Sequence, residues 1–372
     1  MKTTKKITLP EDEIPKQWYN ILADMPNQPQ PLLNPKTREP LKAEEMEQLF
    51  AKELVAQEFS KERFIDIPDE VRTLLKIYRP TPLVRASGLE KALDTPAKIY
   101  FKNESVSPVG SHKLNSAIPQ AYYNKIQGIT HLTTETGAGQ WGSSMSIACE
   151  HFGLDLNVFM VKSSYEAKPY RKLVMRTYGG KVHPSPTNLT EFGRNVLASD
   201  PNCGGTLGMA ISEAVEMATN TPNCRYVLGS VLNHVLLHQT IIGLEAEKQM
   251  EMTGDYPTKV IACFGGGSNF AGITFPFLRY NLTAGKTTEF IAAEPACCPK
   301  LSTGKMMYDY GDTAGMTPLI PMLSLGSDFQ PEQIHAAGLR YHGGGQIVSQ
   351  LVQDGYIVTE LEDGFKEARF TT

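Results

Sequence analysis

Short apolar runs alternate along this chain with glycine-rich turns and amphipathic stretches. Ala97-Lys98-Ile99-Tyr100-Phe101-Lys102 reads as a strand, residues 104–111 as a turn-rich approach, and residues 117–125 as a helix whose start Asn115 and Ser116 can cap. Residues 128–135 then form a short strand that enters the turn Thr136-Gly137-Ala138-Gly139-Gln140-Trp141-Gly142. A helix over 143–152 and a strand over 156–161 follow. Repetition of strand, glycine turn and helix predicts an α/β architecture built on parallel sheets with helices on both faces.

A second unit of the same kind starts near Arg225. Its pattern predicts one long helix over 236–250, a strand over 258–264, the glycine run Gly265-Gly266-Gly267-Ser268-Asn269, a helix from Asn269 and a strand over 288–293. The proline-rich start predicts an arm over 1–80 that packs across the body, with one helix over 42–59. The expected organisation is therefore an arm (1–80), a first α/β unit (81–224) holding a smaller mobile segment at about 162–215, and a second α/β unit (225–372). The last residues, 364–372, read as the start of an amphipathic helix, so the second unit is expected to be incomplete at its C-terminus.

Length and charge narrow the function classes. A chain of 372 residues can bury two cores, and its 36 basic and 40 acidic side chains are mixed, with a net charge of -4. No polybasic track suggests a nucleic-acid partner, and no apolar run approaches the ~20 residues of a membrane span. The six cysteines lack zinc-knuckle or disulfide spacing, so reduced thiols and a cytoplasmic location are expected.

Two elements carry candidate chemistry. Lys113, in Val109-Gly110-Ser111-His112-Lys113-Leu114-Asn115, sits at a helix entrance, where a lysine shielded from water can act as a nucleophile. Gly265, Gly266, Gly267, Ser268 and Asn269 lie between a strand and a helix, where backbone N–H groups free of Cβ crowding can hold a phosphate. The run has no P-loop lysine, and a tight structural turn is the alternative reading beside the favoured anion site. Glu135 precedes a turn whose donors, Thr136 to Gln140, suit a substrate carboxylate; a capped helix start explains the same residues. His234 and His238 share a helix face without a third metal ligand, so no metal is expected. Trp141, Tyr170 and Phe192 serve a core as readily as a substrate chamber, and Arg171 and Lys172 read as the solvated end of a helix.

Taken together, these motifs resemble the β chains of tryptophan synthase, which are fold-type II pyridoxal-phosphate enzymes. The resemblance runs from the arm through Lys113, Glu135, the stretch 165–171 and the glycine run to Gly338-Leu339-Arg340-Tyr341-His342-Gly343. The long arm and Gly229-Ser230-Val231-Leu232-Asn233-His234 are more similar to the divergent second subgroup. The resemblance implies pyridoxal 5'-phosphate as cofactor, Lys113 as the Schiff-base lysine, and His112 with Gly265, Gly266, Gly267, Ser268 and Asn269 around the phosphate. It implies Thr136, Gly137, Ala138, Gly139 and Gln140 at the substrate carboxylate, and Glu135 assisting both loss of the serine hydroxyl and activation of indole. L-serine and indole are the implied substrates of a lyase yielding L-tryptophan, and a homodimer is the implied assembly. Arg340 stands where more familiar β chains have an acidic gating residue, which leaves coupling to a tryptophan synthase α chain open. Segments that related chains carry beyond position 372 are expected to be missing, with weaker cofactor retention as the expected result. Other fold-type II synthases, a serine deaminase and a noncatalytic relative remain the alternatives.

Overall fold

A computed structural model describes residues 5–332 and 337–362. Its larger sheet has four parallel strands in the order Lys181–Ser185, Asp155–Val161, His131–Thr136 and Cys224–Tyr226. Parallel strands covered by helices on both faces are apolar on both faces. Accordingly Leu156, Val158, Phe159, Met160 and Val161 are all buried. A second parallel sheet sets Glu289–Pro295 between Lys259–Cys263 and Val358–Glu362.

Antiparallel pieces, absent from the sequence expectation, decorate these sheets. Lys305–Tyr310 pairs with Leu319–Ser324, and the arm contributes Gln17–Tyr19 against Phe64–Asp66. The strand expected at 97–102 is shorter, Tyr100–Lys102, and joins Leu83–Arg85 and Lys6–Ile7 in a small antiparallel sheet. Each of these pairings joins stretches that carry no local hairpin signal.

Two expected helices are divided. Residues 42–59 fold as Ala43–Met46 and Lys52–Phe59, with Phe50 and Ala51 buried at the break. Residues 236–250 belong to Asn233–Gln239 and Ile241–Thr253, which meet at Thr240. There the Thr240 hydroxyl donates to the Leu237 carbonyl and accepts from the Tyr19 backbone N–H at 3.0 Å. The arm thus inserts a backbone donor where the helix turns.

The arm also closes over the body's buried polar groups. Glu58 accepts from the backbone N–H of Asn233 and His234 and pairs with His234 Nδ1 at 2.8 Å, while Gln57 meets His238 Nε2 at 2.8 Å. Both histidines therefore serve as internal fasteners, and among the described residues no cluster of His, Cys, Asp and Glu could hold a metal ion. The expected terminal helix at 364–372 lies outside the described residues.

Candidate active site

Lys113 is the residue from which helix Leu114–Ile126 departs. The helix is anchored from beneath by a buried charge network. Arg79 donates to Glu245 at 2.8 and 2.9 Å, to Glu104 at 2.8 Å and to the Asn115 side chain at 2.8 Å. Burial acts to raise the Glu104 carboxyl, but Arg79 and Lys102 more than offset it and hold the group down to about 2. Because both partners are out of water, removing one would leave a buried charge uncompensated at a cost of about 3–5 kcal/mol. The network fixes Asn115 two residues beyond Lys113.

The Lys113 ammonium donates to the Gly229 carbonyl at 3.3 Å. Burial pushes its pKa down to about 8, against the pull of Glu135 and Cys263. His112 reaches the glycine run itself: its Nε2 lies 3.2 Å from Ser268 Oγ. Burial, with Lys113 adjacent, holds this imidazole down to about 3, so it is neutral around pH 7.

The glycine run lies at the entrance of helix Ser268–Ala284, with Gly267 in the left-handed region at φ 117°. A Cβ on Gly265 would stand 2.8 Å from the Gly338 carbonyl oxygen, and one on Gly266 would stand 2.6 Å from Ser230 Oγ. Only glycine fits, and the result is a concave row of backbone at a positive helix end. Asn269 lines the cavity, yet its side-chain amide turns back to donate to the Cys263 carbonyl at 3.2 Å.

Glu135 lies in the strand His131–Thr136, with Phe159 beside it in register. Its Oε2 accepts a 2.6 Å hydrogen bond from the Tyr226 hydroxyl. Burial pushes the carboxyl up to about 7, while Tyr226 and Lys113 act in the opposite sense. Glu135 and Lys113 are thus a carboxyl and an amine brought close enough in proton affinity to exchange protons with a substrate near neutrality.

The turn after Glu135 is divided in its allegiance. Thr136, Gly137, Ala138 and Gln140 line the cavity, whereas the Thr136 hydroxyl accepts from the Gly142 N–H at 3.2 Å. Gly139 is not part of the lining; a Cβ there would meet the Arg171 side chain at 2.8 Å. Arg171 is accordingly no solvated helix end. It packs over Gly139 and donates to the Val109 carbonyl at 3.3 Å, joining the turn over 136–140 to the Lys113 loop. Lys172 keeps a surface role, 3.9 Å over the Tyr165 ring.

One cavity of about 380 Å³ brings together Lys113, His112, Glu135, the glycine run and Arg340. Sequence patterns did not reveal Tyr226, Arg171 or Ser230. Tyr226 carried no motif, and Ser230 lay in a stretch noted only for its family likeness. Trp141 also lines the cavity, its indole N–H satisfied by Thr134 at 2.7 Å, while Tyr170 is 79% exposed on the outer surface.

A buried amine with its affinity lowered, a cradle that a Cβ would fill at a helix N-terminus, and a cavity of this size suit a phosphorylated aldehyde cofactor. Residues 74–354 match the family model of pyridoxal-phosphate dependent enzymes. The fold is shared with a T.th. threonine deaminase (TM-score 0.51, 20% identity, 77% of this chain and 78% of that chain). It is also shared with an L-serine ammonia-lyase from Rhizomucor miehei (TM-score 0.56, 18% identity, 76% of each). Fold and site define a fold-type II pyridoxal-phosphate enzyme. The chain is 54% identical to a tryptophan synthase beta chain 2 from Thermotoga maritima, over 96% of this chain and 84% of that protein. The same identity relates it to the beta chain 2 of Methanosarcina mazei, over 97% of this chain and 82% of the relative. The chain of Pseudothermotoga lettingae, a tryptophan synthase beta chain, is 53% identical over 95% and 83%. This chain belongs to the tryptophan synthase β-chain family.

Proposed function

We propose that this site joins L-serine and indole to give L-tryptophan and water. The observation that carries the reading is the single cavity in which Lys113, Glu135 and the glycine cradle face one another. His112, Gly265, Gly266, Gly267 and Ser268 would hold the phosphate of pyridoxal 5'-phosphate, Asn269 would support the cradle from the side, and Lys113 would be its covalent anchor. When bound, the cofactor supplies an electron sink for the charge left at the substrate Cα.

The chain's own residues do the rest. Backbone donors at Gly137, Ala138 and Gln140 hold the serine carboxylate, with Thr136 and Gly139 shaping the turn. Lys113 takes the α proton and later returns it. Glu135, with its carboxyl near 7, donates a proton to the departing hydroxyl, which leaves as water. The resulting carboxylate then steadies the indole N–H as the ring carbon bonds to Cβ, and the proton shed by that carbon as aromaticity returns passes to the carboxylate, so the N–H remains in L-tryptophan. Arg340 lines the same cavity and would act as its gate.

We further propose a cytoplasmic homodimer assembled from an arm at 1–80, a Lys113 unit at 81–224 and a cradle unit at 225–372. All six cysteines are free, which suits a reducing compartment. No described helix is long and apolar enough to cross a membrane.

The test combines purified chain with pyridoxal phosphate, L-serine and indole, and measures tryptophan, pyruvate and mass in solution. Tryptophan formed by a dimer supports the reading. Pyruvate without tryptophan would assign a serine deaminase instead, and cofactor binding without either product a noncatalytic relative.

A further inference from the structure

Lys300 is fully buried, although the proposed reaction makes no use of it. Its Nζ lies 3.0 Å from the Cys298 carbonyl, 3.4 Å from that of Phe264 and 3.4 Å from that of Leu339. A carboxylate oxygen of Glu294, also fully buried, lies 3.7 Å away. An ammonium has three N–H donors and no acceptor, so three converging carbonyls match it donor for acceptor. A neutral amine would turn its lone pair toward a carbonyl, and an empty position would leave three carbonyl dipoles pointing at one another in a medium of low dielectric.

The three carbonyls belong to separate segments. Phe264 immediately precedes the cradle, Cys298 lies in the turn after the strand Glu289–Pro295, and Leu339 adjoins Arg340. Cys298 Sγ also donates to the Tyr341 carbonyl at 3.2 Å, so the carbonyls on both sides of Arg340 are held from the same turn. Gly338 is pressed onto the cradle through the close approach of its carbonyl to Gly265. Glu294 fixes the turn in its place by accepting from the N–H groups of Leu301 at 3.0 Å and Ser302 at 2.7 Å.

We infer that Lys300 is a tethered internal cation, a positioning residue whose ammonium clamps the Leu339–Tyr341 segment to the phosphate cradle and stands where a free monovalent cation would otherwise be needed. This inference rests on reading the cavity as a cofactor site. Substrate identity does not enter it.

The experiment compares wild type with Lys300→Met, which keeps the unbranched chain as far as Cε and removes the ammonium with its charge and donors. Thermal midpoint and the pyridoxal-phosphate dissociation curve are measured in potassium, ammonium and tetramethylammonium chloride at about 0.1 M and matched ionic strength. Wild type should be indifferent to the cation. In tetramethylammonium the variant should hold the cofactor roughly tenfold more weakly or worse, because unpaired buried carbonyls are costly. Potassium or ammonium should restore both readouts. Wild-type cofactor retention and thermal midpoint in the variant would overturn the inference, as would loss that neither small cation repairs. Should the variant fail to fold, wild type alone still decides: a marked potassium or ammonium preference in either readout would show that Lys300 does not fill the cation's place. Neither readout needs L-serine or indole, so failure of the tryptophan-forming reaction would be seen separately.

Discussion

The Tyr226 hydroxyl donates to Glu135 Oε2 at 2.6 Å, and both groups are buried against the same cavity. Burial raises the Glu135 carboxyl to about 7, and the tyrosine limits that rise by stabilising the ionised form. Tyr226→Phe should therefore raise the carboxyl further and move the alkaline limb of kcat/KM for L-serine, where the protonated donor is lost, to higher pH by on the order of one unit for a charged hydrogen bond. Loss of the serine hydroxyl should then persist further into alkali than in wild type. A pH–rate profile superimposable on wild type would contradict this role.

Glu135 also links the site to stability. Its carboxyl is near 7 when folded, against an ordinary value of 4.5. The folded state thus binds the extra proton between these values. Its contribution to stability is fully present below about 4.5 and lost as pH rises to about 7. Above that, the charged buried group costs on the order of 3 kcal/mol. Glu135→Gln should gain most over wild type at pH 8 and least at pH 4.5, as measured by thermal unfolding without cofactor. The same variant should retain pyridoxal phosphate but lose ~100-fold or more in tryptophan formation.

Lys113→Ala should abolish the lysine-linked absorbance of the cofactor and lower turnover by ~100-fold or more, since the α proton loses its acceptor. Spectral titration and steady-state assay report the two losses independently. Retained turnover would require another base.

Gly265→Ala places a methyl carbon 2.8 Å from a backbone oxygen that no rotamer change can move aside. The cradle or the Gly338 turn must shift, and phosphate affinity should fall roughly tenfold or more, as for a mispositioned anion site with an overpacking strain of about 1–3 kcal/mol. Equilibrium titration with pyridoxal phosphate measures it, and Gly88→Ala, where a Cβ meets nothing within 4 Å, serves as a comparison.

Arg79→Met should lower stability by about 3–5 kcal/mol because Glu104 and Glu245, both largely buried, would lose the guanidinium and be left sharing Lys102. Chemical denaturation of the variant, compared with wild type at pH 7, tests this. The loss should exceed that of the exposed pair Lys259 with Glu289.

Features legible in the sequence were those whose physics is local. A glycine row between a strand and a helix announces a close backbone approach whatever surrounds it, and Lys113 stood at a readable helix entrance. The parallel sheets followed from apolar runs of the right length. What stayed hidden depends on partners far along the chain. Tyr226 meets Glu135 across 91 positions, and His112 meets Ser268 across 156. Arg171 looked like a surface charge because nothing in its own helix discloses that Gly139 lies beneath it. The break at Thr240 was equally silent, since it depends on a backbone N–H from Tyr19. The Lys300 clamp is harder still to read: backbone carbonyls leave no trace in residue types.

The arm's grip on the body has a temporal side. Glu58 emerges from the ribosome 176 residues before His234, the group it must hold. At roughly 5–20 residues per second, the carboxylate waits on the order of ten to thirty-five seconds for its partner. Gln57 and Tyr19 wait longer still, for His238 and Thr240. The arm, synthesised well before the body it grips, is thus among the last segments to find its place, and a nascent chain released before residue 240 would carry an arm with nothing to fasten.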